Sequence, residues 1–391
     1  MKEPHGHLAV KILFFLFYAG IGQFLAFLNV YYNNIGLSGM QIGLLGTIST
    51  AIAVISATLW GMLSDRLGKP RWLFATAFTG TILGTLALSA AQPFGWILIA
   101  ACLFALFFNT LAPLIDSTAL VLLGDQRQRY GTYRVWGSIG FILTSTAAGF
   151  IYEQTGLHAM FLGFVFLMVL GLLVSLYLPD QKVHLSGSAW SGIGKMIRKP
   201  QWLIFAGSAF FIWLAANGML SFLGVTIKKM GGTDSLVGLA GTVAAIVEIP
   251  GMFFSDRILR RLGSVRLMGI GIVGYMLRMF FYAIMPTPGW ALVIATMNSI
   301  TYMPFWIGAV AYASDRAPEN MKATSQGLLY SITSFASVLG GLASGWLFDR
   351  AGPSGLFVVL GVSCLIALVF FSIGQLVFDR KTVVERISDA I

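Results

Sequence analysis

Charge is scarce in this chain: Asp, Glu, Lys and Arg make up only 10% of its 391 residues, against 57% hydrophobic. A soluble domain needs about a quarter of its residues charged, so this scarcity excludes a water-borne enzyme or binding module. A mean hydropathy of +0.82 makes lipid the solvent for most of the chain. Cysteine is nearly absent: Cys102 and Cys364 sit inside apolar runs in opposite halves, so no disulfide framework or thiolate metal site is expected. The four histidines, His5, His7, His158 and His184, fall in the tail or in predicted loops. That leaves no mid-membrane imidazole for a proton relay, and no metal or other cofactor is expected. Long polar stretches are missing too. The longest, about 179–199, carries Ser and Gly without apolar periodicity and reads as a linker. With no nucleophile and base, no metal cluster and no phosphate-cradling loop, an enzyme is not expected.

What is present is a recurrence of apolar runs near the roughly 20 residues that a membrane helix needs. They predict an all-α membrane protein of twelve transmembrane helices, at about 8–32, 40–64, 72–91, 95–122, 133–153, 157–178, 200–227, 235–257, 265–285, 289–313, 322–348 and 353–378. The net charge of +10 is a topology signal rather than a nucleic-acid footprint. Of 25 Lys and Arg, 21 lie at the N-terminus, in the even-to-odd connections or in the tail. Lys228, Lys229 and Arg350 lie on the other side, and Arg278 alone lies within a span. Both termini are therefore expected in the cytoplasm. The first span is too long for a cleaved signal peptide and lacks its Ala-x-Ala site.

The sequence also repeats. Gly61-Met-Leu-Ser-Asp65-Arg66-Leu-Gly68-Lys69-Pro-Arg71 follows the second span, and Gly251-Met-Phe-Phe-Ser-Asp256-Arg257, with Arg260, Arg261, Gly263 and Arg266, follows the eighth. Gly149 and Gly156 close the fifth span as Gly345 and Gly352 close the eleventh. Two pseudo-symmetric six-helix halves in parallel orientation are expected, with a binding site near mid-membrane between them. The divisions are 1–178 for the first half, 179–199 for a cytoplasmic linker, 200–378 for the second half and 379–391 for a cytoplasmic tail.

The Gly61–Arg71 stretch resembles the major facilitator superfamily, whose signature after span 2 has the form G-x-L-x-D-R-x-G-x-K/R-x-R. The resemblance implies a conformational clasp made by Gly61, Asp65, Arg66, Gly68, Lys69 and Arg71, with Asp256 and Arg257 as the second copy. Ala112-Pro113-Leu-Ile-Asp116 followed by Arg134-Val-Trp136-Gly137-Ser-Ile-Gly140 is similar, at low identity over the whole chain, to the lactose permease and related oligosaccharide–proton symporters. In that group these spans supply a carboxylate and an arginine that bind sugar hydroxyls, which implies those roles for Asp116 and Arg134. Arg278 matches a further arginine, and Glu248 lies about one helical turn from the group's glutamate. The sequence departs from the group in span 10, where Ser299 and Tyr302 replace its His and Glu, and at Phe141, which replaces its sugar-stacking Trp. The wider branch includes carriers of nucleosides and aromatic acids.

The residues alone point the same way. A charge at the bilayer centre costs at least roughly 2.5 kcal/mol unless paired or hydrated, so Glu248 and Arg278 should face each other or water. Asn109, Pro113 and Asp116 lie at i, i+4 and i+7, and Arg134, Ser138, Phe141 and Ser145 at i, i+4, i+7 and i+11, so each set forms one helical stripe. Asn298, Tyr302 and Trp306 recur at steps of four, as do Trp213, Asn217 and Ser221. Gln326, Tyr330, Thr333 and Ser337 form another stripe, and Tyr18 and Gln23 mark span 1. Polar stripes in lipid must face protein or water; interhelical packing is the plainer use of each one.

Together these features predict a proton-coupled symporter of a small polar organic solute: a sugar or oligosaccharide, a nucleoside or an aromatic acid. Expected solute-binding residues are Asp116, Arg134, Asn109, Phe141, Gln23, Asn217, Asn298, Tyr302, Trp306 and Tyr330. Expected coupling residues are Glu248, Arg278 and Asp116. Transport of such a solute, sugar transport among the three, across the cytoplasmic or inner membrane, by a monomer whose partners are solute, protons and lipid, is the leading expectation. A proton-driven exporter of drugs or other amphipathic compounds is the alternative, followed by a non-transporting receptor.

Overall fold

The computed structural model describes residues 4–67, 70–178, 200–317 and 322–388, and among these all regular structure is helical. The predicted linker 179–199 lies outside the described residues, as do all side chains of the predicted tail 379–391. Helix α1 (Pro4–Gly20) continues through a π-helical turn, Ile21–Leu25, into α2 (Ala26–Asn34). Then come α3 (Gly39–Leu67), α4 (Pro70–Ala90) and α5 (Phe94–Leu123). A 3-10 segment, Gly124–Arg129, leads to α6 (Gly131–Thr155) and α7 (Ala159–Ser175). Further along are α8 (Pro200–Lys229), α9 (Asp234–Phe253), α10 (Ser255–Ala283), α11 (Trp290–Ala295), α12 (Tyr302–Asp315) and α13 (Lys322–Ser388).

Ten of the described helices are long and apolar enough to cross a membrane, and Ala159–Ser175 is a shorter apolar one. The last of the ten, Thr324–Gln375, runs for 52 residues, more than two crossings of roughly 20 residues each. It is divided at Gly352, where φ is 68° and ψ −174°. Only glycine takes that conformation without strain, and Pro353 beside it cannot donate to the preceding turn. The division falls between the expected spans 322–348 and 353–378.

The span expected over 289–313 is present as Trp290–Asp315, but it is not one regular α-helix: α11 ends at Ala295, a 3-10 turn occupies Thr296–Ile300, and Thr301 sits at φ −107°, ψ −79° before α12 begins. Pro304 is the cause. It has no N–H for the Ile300 carbonyl four residues back, and its ring crowds that carbonyl. The freed Ile300 oxygen lies instead against Gly274 of α10, 2.5 Å from where a Cβ would stand.

The chain forms two compact units. The first comprises Met1–Gly187, Leu223–Ile246 and Thr287–Leu292. In it α1 packs on α5, α6 and α7, α4 packs on α5 and α7, and α3 packs on α5. Its apolar centre is a group of phenylalanines, Phe24, Phe104, Phe108 and Phe164, whose ring centroids stand 4.4–5.9 Å apart. Beyond the expected residues 1–178, this unit takes in the beginning of α9. Ser145 of α6 donates to the Gly238 carbonyl at 3.1 Å, and the Thr146 and Thr242 hydroxyls bond at 2.8 Å. Close approach of small, polar-tipped residues is how membrane helices associate where apolar packing offers no gain over lipid. The second unit comprises Ser188–Phe222, Val247–Pro286 and Val293–Ile391, and in it α10 packs on both α12 and α13.

Candidate functional site

The break before α12 builds the main polar site of the second unit. Arg278 of α10 is only 2% exposed. Its Nη1 donates to Asn298 Oδ1 at 2.7 Å and to Thr301 Oγ1 at 3.1 Å, and its Nη2 reaches the Tyr282 hydroxyl at 3.5 Å. Asn298 Nδ2 in turn donates to Glu248 Oε2 of α9 at 3.0 Å. The expected Glu248–Arg278 pair is thus joined through an amide. Chemistry dictates the amide's orientation: a guanidinium only donates and a carboxylate only accepts, so Oδ1 must face Arg278 and Nδ2 must face Glu248. The Arg278 Nε is buried and has no hydrogen-bond partner among the described residues.

Beside this chain of groups the same unit carries an aromatic row. Trp213 of α8 stands 6.3 Å from Tyr302 and 5.1 Å from Trp306, centroid to centroid, and Trp306 stands 5.6 Å from Tyr330 of α13. Tyr330 is 56% exposed, so the row runs from half-buried to open. Three of the four, Tyr302, Trp306 and Tyr330, are expected binding residues that the fold brings together. Asn217 lies on α8 one turn beyond Trp213 and is half-buried.

In the first unit, Asp116 and Arg134 are each engaged by a tyrosine. The Tyr130 hydroxyl donates to Asp116 Oδ1 at 2.7 Å. The Arg134 guanidinium lies over the Tyr18 ring, 3.8 Å from its centroid, a cation–π contact. Between these two described residues there is no direct ion pair, so Asp116 and Arg134 do not staple the α5–α6 hairpin. Gly137 makes the stack possible: a Cβ there would stand 2.6 Å from the Tyr18 ring and 2.8 Å from Arg134 Nη1. Burial pushes the Tyr130 hydroxyl, in the connection outside the helices, well above the usual tyrosine range, and its bond to Asp116 adds to this. It therefore remains a donor at any physiological pH.

The other expected site residues are more dispersed. Asn109 Nδ2 donates to the Ser49 carbonyl at 3.2 Å and joins α5 to α3. Phe141 is half-buried in α6. Gln23 is 6% exposed within the π-turn, where the Tyr152 hydroxyl donates to its carbonyl at 2.9 Å and also contacts Oε1. Such π-turns are frequent at functional sites, but Gln23 is committed here to tying α1 to α6. Of the clasp, Gly61, Asp65, Arg66, Gly68 and Lys69 lie outside the residues whose side chains are described. Arg71 is described, and its Nε donates to the Leu178 carbonyl at 2.6 Å. Asp256 and Arg257 are exposed at the start of α10.

Three residues in these clusters carry no expected role. Tyr282 lies four residues after Arg278, a spacing that places both on one helix face, so it was legible. Thr301 acquires its role only through the helix break. Tyr130 meets Asp116 across a connection that no periodicity describes.

The chain matches the model of the MFS_1 like family over residues 7–359. It is 28% identical over 368 residues to the transporter YwbF of Bacillus subtilis (strain 168), covering 91% of this chain and 90% of that one. It is 25% identical over 364 residues to the maltose permease of Geobacillus stearothermophilus, covering 92% of each. The crystal structure of the nucleoside transporter NupG superposes with a TM-score of 0.81 at 19% identity, covering 95% of this chain and 98% of that one.

Proposed function

The chain belongs to the MFS_1 like family of major facilitator transporters, and from this we propose that it is a proton-coupled symporter of a small polar organic solute that works by alternating access. The observation that carries the reading is the series Glu248–Asn298–Arg278, in which a buried guanidinium is linked through a half-buried amide to a half-buried carboxylate. A charge inside an apolar helix bundle is expensive unless it is paired or hydrated, and charges kept there despite that cost mark ion or substrate pathways. Glu248 is the proton site. Its affinity for a proton depends on whether Asn298 and Arg278 are engaged with it, because nearby charge and hydrogen bonding set that affinity. A transport cycle that makes and breaks the series therefore loads and releases a proton.

Asp116 and Arg134 bind the solute. Both are pre-placed by tyrosines and form no direct ion pair with each other, so a solute that donates a hydroxyl to Asp116 and offers an oxygen to Arg134 can bridge them. The aromatic row of Trp213, Tyr302, Trp306 and Tyr330 suits a solute with an apolar ring face. A sugar, a nucleoside and an aromatic acid each combine such a face with hydrogen-bonding groups. Maltose and nucleosides are what two similar proteins carry, by their names. Twelve spans in two six-helix halves, both termini in the cytoplasm and residence in the cytoplasmic membrane complete the proposal.

Counterflow in proteoliposomes tests it. Vesicles loaded in turn with maltose, sucrose, uridine and 3-phenylpropionate should accumulate the matching labelled solute transiently, and a pH gradient should drive net uptake of the same one. Counterflow without any response to the pH gradient contradicts the coupling; no counterflow with any of the four contradicts the solute class.

A further inference from the structure

A cavity of about 260 Å³ lies at the end of the first unit that carries the N-terminus, apart from the sites above. It is lined by His7 and Lys11 of α1, Leu122 and Leu123 at the end of α5, Gln126 and Arg129 of the 3-10 segment, and Thr132 and Tyr133 of α6. That volume far exceeds the roughly 30 Å³ share of one liquid water. Two permanent cations face it. The Lys11 ammonium stands 5.2 Å from the centroid of the Tyr133 ring, and Arg129 Nη1 donates to Gln126 Oε1 at 3.2 Å. His7 Nδ1 bonds the Tyr133 hydroxyl. None of the described lining residues is acidic, and neither Lys11 nor Arg129 forms an ion pair with a described carboxylate.

Two like charges sharing one concavity repel each other unless an anion lies between them. The donors present are those that hold phosphate: an Arg fork, a Lys ammonium, an amide and a hydroxyl. The buried Leu122 and Leu123 form a low-dielectric floor, which strengthens every such contact. We propose that this cavity binds a phosphate group, borne either by an anionic lipid headgroup or by a free phosphate compound. Such a ligand ties α1 to the segment that carries Tyr130, and so steadies the donor on Asp116. That consequence rests on the proposed solute role of Asp116; binding itself does not.

The test is thermal unfolding of the purified full chain in two arms. In detergent, inorganic phosphate is titrated at constant ionic strength; in phosphatidylcholine nanodiscs, phosphatidylglycerol replaces part of the lipid. Phosphate, phosphatidylglycerol or both should raise the midpoint by a few degrees, and the responding arm identifies the source. Lys11→Gln with Arg129→Gln should weaken the response at least about tenfold, since hydrogen bonds to charged groups carry about that much. Thr132→Asp, an exposed change at the rim, should weaken it similarly, while Lys11→Arg with Arg129→Lys should retain it. No shift in either arm, or equal shifts in the wild type, the double Gln variant and Thr132→Asp, overturns the site.

Discussion

The two polar clusters use the same pair of groups, a carboxylate and a guanidinium, in opposite ways. In the second unit Arg278 is almost wholly buried and is linked to Glu248 by the Asn298 amide, with Thr301 and Tyr282 taking further donors. In the first unit Asp116 and Arg134 are both half-buried, and each is held separately by a tyrosine. A linked series, half-buried at Glu248 and Asn298 and anchored on the buried Arg278 guanidinium, has few alternative partners and costs much to disrupt. Two separately held groups keep lone pairs and donors available for something that arrives. That contrast is the physical basis for assigning coupling to one cluster and solute binding to the other.

The sharpest way to break the comparison is Arg278→Ala. It removes the buried guanidinium from Asn298 and Thr301 and should cost about 3–6 kcal/mol, from two charge-assisted hydrogen bonds of about 1.5–3 kcal/mol each, read as a large fall in the unfolding midpoint in detergent. A loss no larger than that from Arg134→Ala would erase the distinction between the clusters. Next comes Arg134→Lys, which keeps the charge but loses the planar stack on Tyr18 and the bidentate fork. Solute affinity should fall by roughly 1.5–3 kcal/mol with stability nearly unchanged, and full affinity in that variant would make Arg134 a charge balancer only. The smallest effect is expected from Tyr130→Phe, which removes one hydrogen bond from Asp116. A loss of about 1 kcal/mol in solute binding, with the response to a pH gradient intact, would sharpen the division of roles; a lost pH response would move coupling into the first unit.

Much of this arrangement was legible in the sequence, for reasons that particular residues illustrate. Apolar runs near bilayer length gave the helices, and Gly352, read as closing the eleventh span, falls where the long last helix divides. Glu248 and Arg278 stood out because charge is rare in such runs. The link between them was not legible. It depends on Pro304 releasing the Ile300 carbonyl, which breaks a span and turns Asn298 and Thr301 toward α10, and a period-of-four stripe assumes the unbroken helix. Asp116 and Arg134 were recognised from their motif, but their separation was not, since Tyr130 and Tyr18 come from a connection and from a different helix. Gln23 reads as a polar residue available in span 1, yet the π-turn and Tyr152 commit it to packing.

The most direct measurement is made on Glu248→Gln in proteoliposomes, comparing uphill uptake driven by a pH gradient with exchange at equal solute concentrations. The amide is nearly isosteric but cannot take up or release the proton. If Glu248 carries the coupling, accumulation should disappear while exchange stays near the wild-type rate, because exchange requires no net change in protonation. Accumulation against the gradient in this variant would contradict the assignment and leave the Glu248–Asn298–Arg278 series a structural tie.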